Sequence, residues 1–104
     1  MKDKGFFRNL EEMMQFPKEG IYSTVLAKSE TYNYTLMCLS KGTDIDTHTS
    51  TKSGCVQVLK GRGVFTLFDK KIDMKPGVFI FMPAKAPHSL KADEDLAILL
   101  CLNG

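Results

Sequence analysis

From Gly42 to Gly61 the chain reads GTDIDTHTSTKSGCVQVLKG, and from Gly77 to Ala92 it reads GVFIFMPAKAPHSLKA. Each stretch opens on glycine, carries β-branched residues (with Phe79 and Phe81 in the second) and holds one histidine. His48 and His88 are the only two histidines in the chain. Val, Ile, Phe and Thr favour strands, and Gly and Pro mark the turns between them. Histidine titrates near neutral pH and is the commonest protein ligand of metals, so both stretches also carry candidate chemistry.

The rest of the chain follows the same pattern. Ile21 to Lys28 and Tyr34 to Ser40 read as strands separated by the polar Ser29-Glu-Thr, and Thr43 to Thr47 leads into His48. Cys55 to Leu59 and Val64 to Phe68 are strands joined across Gly61-Arg-Gly63, Phe68 to Ile72 reads as a hairpin turn, and Lys75-Pro-Gly77 as a second turn. Val78 to Met82, His88 to Lys91 and Leu96 to Leu102 complete the set. Many short, closely spaced strands argue for an all-β sandwich or barrel. Only the start differs. Asn9-Leu-Glu-Glu12 has the form of a capping box, predicting a short helix through Met14 that ends before Pro17. Phe6, Phe7 and Phe16 flank that helix and are expected to staple it to the strands. We therefore divide the chain into an arm, residues 1–19, and one domain, residues 20–104.

The spacing of Gly42, His48 and Gly61, and of Gly77, Pro83 and His88, resembles the two motifs of the cupins, G-x5-H-x-H-x3-4-E-x6-G and G-x5-P-x-G-x2-H-x3-N. The resemblance runs from Gly42 to Ala92 and implies an RmlC-like jelly roll, a double-stranded β-helix barrel with a short N-terminal helix. In that family two His and one Glu of the first motif and one His of the second hold a divalent metal inside the barrel. Here His48 and His88 stand at the first and last of those positions. Ser50 replaces the second His, Gly54 the Glu, Lys85 a turn glycine and Ala92 the Asn. Lysine in place of that glycine predicts a backbone without positive φ at position 85.

Strand alternation places Gly54, Val56 and Val58 inward and Cys55, Gln57 and Leu59 outward. In the last strand Leu96, Ile98, Leu100 and Leu102 share one face while Ala97, Leu99 and Cys101 share the other. An outer face that is also apolar needs a cover, either the arm or a second copy of the chain. We expect a homodimer, the commonest soluble oligomer.

Two imidazoles are fewer than the three protein ligands that zinc and non-haem iron sites usually take. Asp46 shares the parity of His48 and is the candidate third ligand. Ser50, Gly54, Lys52 and Lys85 are candidates for a small-molecule pocket: the hydroxyls between Thr47 and Ser53 suit a polar ligand, the lysines an anionic one. Phe65, Phe79, Phe81 and Met82 read as core. Two functions stay open. One is a divalent-metal site (Fe, Mn, Ni, Cu or Zn) on His48 and His88, acting on a small polar or anionic molecule as a dioxygenase, isomerase or lyase. The other is a metal-free small-molecule binding or sensor module. No catalytic residue or organic cofactor is assigned.

Composition narrows the classes. A net charge of +2 with scattered lysines argues against nucleic acid. No apolar run approaches the roughly 20 residues of a membrane span, and the first residues do not read as a signal peptide. Cytoplasm is the expected location. Cys38, Cys55 and Cys101 contain no C-x-x-C pair and are expected to be buried small apolar residues in strands, not a disulfide framework.

Overall fold

The computed structural model describes residues 5–104, so Met1–Lys4 of the arm lie outside the described residues. A four-residue helix α1 (Leu10–Met13) precedes nine strands. They are β1 (Ile21–Lys28), β2 (Tyr32–Leu39), β3 (Asp44–His48), β4 (Ser53–Lys60), β5 (Gly63–Leu67), β6 (Lys70–Met74), β7 (Phe79–Met82), β8 (His88–Ala92) and β9 (Leu96–Asn103). They form two antiparallel sheets, in the orders β1-β2-β9-β4-β7 and β3-β8-β5-β6. Among the described residues no strand pairing joins one sheet to the other. The expected closed barrel is therefore an open two-sheet jelly roll, held shut by side chains packed between the sheets instead of by ladder hydrogen bonds.

Alternation built the core as expected. Val56, Val58, Leu96 and Ile98 from the larger sheet meet Phe65, Met74 and Leu90 from the smaller one, all buried. A second cluster lies on the outer side of the larger sheet, where Leu36, Cys38 and Ala97 are covered by Met13, Met14 and Phe16 of the arm. The Asn9 side chain caps α1, accepting the backbone N–H groups of Glu11 and Glu12 at 3.0 and 3.4 Å. Of the three expected staples only Phe16 packs on the sheet. Phe7 is 91% exposed, and Phe6 lies under the Arg8 guanidinium at 4.6 Å. Phe79 and Phe81 also depart from expectation. On β7 they alternate with the buried Ile80 and Met82, so they point outward and are more than half exposed.

Two turns hold non-glycine residues in the left-handed region. The hairpin expected over Phe68 to Ile72 is tighter, with only Phe68 and Asp69 between the paired Leu67 and Lys70, and Phe68 takes φ 56°. Lys85 takes φ 68°, so the prediction of an ordinary backbone there is wrong. The lysine adopts the conformation of the glycine it replaces because it is the third residue of a turn closed by the Ala86 N–H on the Pro83 carbonyl at 3.2 Å, a position that takes positive φ in type II turns.

Left-handed backbone costs a non-glycine residue about 1–2 kcal/mol. Glycine gives back part of that through unfolded-state freedom, about 0.4–1 kcal/mol. Lys85→Gly should thus stabilise the domain by about 0.5–1 kcal/mol, read as a higher urea midpoint at unchanged slope. A lower midpoint would show that the lysine side chain contributes more than its backbone costs.

Candidate functional site

Strands β3 and β8 are neighbours, and His48 is the direct register partner of His88. The two rings lie 4.2 Å apart between centroids, tilted by 58°. His48 reaches this place through an irregularity. Ile45 pairs with Leu90 and His48 with His88, so three steps along β3 match two along β8, and one extra residue is bulged out. The bulge lets Ile45 and His48 line the same cavity between the sheets, where His48 stays exposed to solvent while His88 is buried.

Each imidazole is oriented by its own backbone. His48 Nδ1 lies 2.9 Å from the Asp46 carbonyl oxygen, and His88 Nδ1 lies 2.9 Å from that of Ala86. A carbonyl only accepts, so each Nδ1 carries the hydrogen and donates it. Among the described residues each Nε2 is left without a hydrogen-bond partner, open to a ligand. Phe65 fixes His88 from the other side, with its ring nearly parallel at 6° and 5.6 Å between centroids.

The rings stand at one end of a cavity of about 240 Å³ between the sheets. Ile45, Phe65 and Leu90 line it from the smaller sheet; Met37, Val56, Met82, Ile98 and Leu100 line it from the larger one. His48 and His88 are its only polar lining residues. The volume lies a little below the roughly 300–1,000 Å³ of drug-sized ligand sites, so a guest must be small.

The other sequence candidates are not part of this lining. Asp46 is exposed: the bulge that brings His48 to the cavity leaves Asp46 out of phase, and only its carbonyl serves the site. Among the described residues no group of three His, Cys, Asp or Glu is placed to hold a metal. Ser50 is occupied within its own loop, where its Oγ accepts the Lys52 N–H and its carbonyl accepts the Lys85 N–H. Lys52 reaches away to the Glu30 carbonyl at 3.3 Å, and Lys85 is exposed. Gly54 does face inward, but a Cβ there would lie 2.5 Å from the Cys101 carbonyl oxygen and 2.7 Å from Leu102 Cδ2. The family's Glu position is thus closed by the backbone of β9 and filled by Leu102. The donor set fits two ligands of the family's metal centre and not the other two. Sequence alternation placed Val56 inward and grouped Ile98 with Leu100 on one face. It missed the Phe65–His88 stack, whose only signal was an aromatic two residues beyond Gly63.

Comparison with known proteins agrees with this architecture. A family model described as a cupin domain matches residues 35–102. The chain belongs to the cupin family. A solved structure of a conserved protein of unknown function from Streptococcus pyogenes superposes with a TM-score of 0.86 at 26% identity, covering 97% of this chain and 89% of that one. A cupin 2 conserved barrel domain protein from Leptotrichia buccalis gives a TM-score of 0.87 at 30% identity, covering 93% of this cupin but 47% of its own chain. Among curated proteins, an uncharacterized protein of Methanocaldococcus jannaschii is 39% identical over 46 residues, which span 42% of this chain and 37% of that relative.

Because a backbone oxygen blocks position 54, Gly54→Ala should destabilise the domain by about 1–3 kcal/mol, as overpacking does. Gly54→Glu should not recreate a metal ligand. Thermal unfolding of both variants checks this, and a Gly54→Glu protein of wild-type stability would show that β9 can move aside.

Proposed function

We propose that this cupin binds a small, mostly apolar molecule whose single polar head reaches His48 and His88. The observation that carries the reading is the pair of imidazoles, each held through Nδ1 by a backbone carbonyl, lining an otherwise apolar cavity. A guest hydroxyl or protonated acid would donate to an imidazole nitrogen there. The polar or anionic guest expected from the lysines is narrowed by their position outside the lining, which leaves the imidazoles as its polar contacts.

A divalent metal on the same two imidazoles is the second reading. The donation of each Nδ1–H to a backbone carbonyl favours it, because metal-ligating histidines are oriented in this way. An ion there would polarise a bound oxygen as a Lewis acid. With two protein donors, the guest and water would complete its shell, and dioxygenase, isomerase or lyase chemistry would then be open to the fold. Three free cysteines support a reducing, cytoplasmic location, and no helix among the described residues is long and apolar enough to cross a membrane.

We further propose that the chain is a homodimer joined along the free edge of β7. Phe79 and Phe81 there are 58% and 57% exposed beside an unpaired strand edge, a combination that proteins usually cover.

Calorimetric titration with small phenols and short-chain carboxylic acids, each with and without Zn²⁺, Mn²⁺ or Fe²⁺, tests the site. Binding of an organic probe without metal, weakened at least about tenfold (1.4 kcal/mol) in His48→Ala and His88→Ala, is the expected result. Near-stoichiometric metal binding without a probe, lost in both variants, would put the metal reading first. Probe binding unchanged in both variants would overturn the histidine assignment.

For the dimer, light scattering should give twice the 11.6 kDa chain mass. A Phe79→Ser/Phe81→Ser variant should return the single mass. A monomeric wild-type chain would remove the dimer proposal.

A further inference from the structure

Neither the cavity nor the arm uses a pair of sulfurs on the outer face of the larger sheet. Cys55 on β4 and Cys101 on β9 are direct register partners. Both are free thiols and both are partly exposed, whereas Cys38 is fully buried opposite Ala97.

Directly opposed residues of an antiparallel ladder have Cα atoms about 4.5 or 5.5 Å apart, depending on the pair type. A disulfide spans Cα separations of about 4.4–6.8 Å, so either pair type can be bridged. The strands also close up at this place, because the bare Gly54 admits the Cys101 carbonyl to 2.5 Å from where a Cβ would stand. The sulfurs sense one another. The Cys101 thiol is pushed up first by burial and then by the charge and hydrogen bond of Cys55, so the pair resists ionising together.

We propose that Cys55 and Cys101 form a reversible cross-strand disulfide, closed by small disulfide oxidants and opened by thiols. One cysteine thiolate attacks the oxidant RSSR, its S–S bond breaks, and RS⁻ leaves. The second thiolate attacks the mixed disulfide and releases a second RS⁻. The two cysteine protons end on the departing thiolates, so two protein thiols and one RSSR give one protein disulfide and two RSH. Transient bridges of this kind suit a reducing compartment, where structural disulfides are rare. The bridge would clamp β4 to β9 directly behind Val56 and Leu100, which line the cavity from the opposite face.

The test treats the reduced full chain with oxidised glutathione under native conditions, beside a Cys38→Ser variant. The expected result is loss of two thiols with no retained glutathione mass. Peptide mapping without reductant should link Cys55 to Cys101, the Cys38→Ser variant should behave alike, and dithiothreitol should reverse the change. Cys55→Ser and Cys101→Ser should each keep one glutathione on the surviving partner. The decisive readout is taken on the wild-type chain, so a variant that fails to fold does not blur it. Stable double glutathionylation, covalent dimers through either cysteine, or thiols inert until the protein is unfolded would each overturn the proposal.

Discussion

β9 is the constraint on which the rest of the structure depends. It pairs with β2 on one side and β4 on the other, and it is apolar on both faces. Leu96, Ile98, Leu100 and Leu102 pack inward against the smaller sheet, while Ala97 packs outward beneath the arm. A strand buried on both faces cannot slip by one residue without exchanging its two faces, and here each face has a differently shaped partner. That fixed register places Leu102 and the Cys101 carbonyl against Gly54, and Ile98 and Leu100 on the cavity wall.

Where the motif spacing would place the two further ligands of the family's metal centre, this chain holds other groups. The carboxylate position is occupied by backbone and by Leu102, and the second imidazole position has become a loop serine engaged with its neighbours. The two histidines that remain are held by main-chain carbonyls two residues behind each ring. Their orientation thus rests on the main chain. The result is an apolar chamber with a two-nitrogen end, suited to gripping one polar group of a small guest.

Much of this was legible in the sequence. Strand alternation separated the two faces of β4 and of β9, the motif position of Gly54 set which face of β4 turns inward, and the glycine and proline spacing brought His48 and His88 to one place. The failures share a cause. Alternation counts residues and cannot see an extra one, so the bulge between Ile45 and His48 reversed the reading of Asp46. Lysine's reluctance to take positive φ is a preference of about 1–2 kcal/mol, and the turn that Ala86 closes on Pro83 outweighs it. Phe79 and Phe81 were read as core from hydrophobicity alone, although β7 is an edge strand that buries only alternate residues. Sheet closure is set by how tightly strands coil around a filled interior, which no local pattern encodes.

The place of β9 in the sheet also bears on when the sheet can exist. The larger sheet has its two ends in β1-β2 and β4-β7, and β9, the last of the nine strands in sequence, is the piece that joins them. As the chain leaves the ribosome, both halves emerge with their inner edges unpaired. Of the wall opposite the histidine pair, Ile98 and Leu100 are the last part to be made. Pairings as distant as Tyr32 with Asn103 form late and at high entropic cost. Until then the apolar edges of β2 and β4 are open to other chains, which makes the interval before β9 arrives the time of greatest exposure to misassembly.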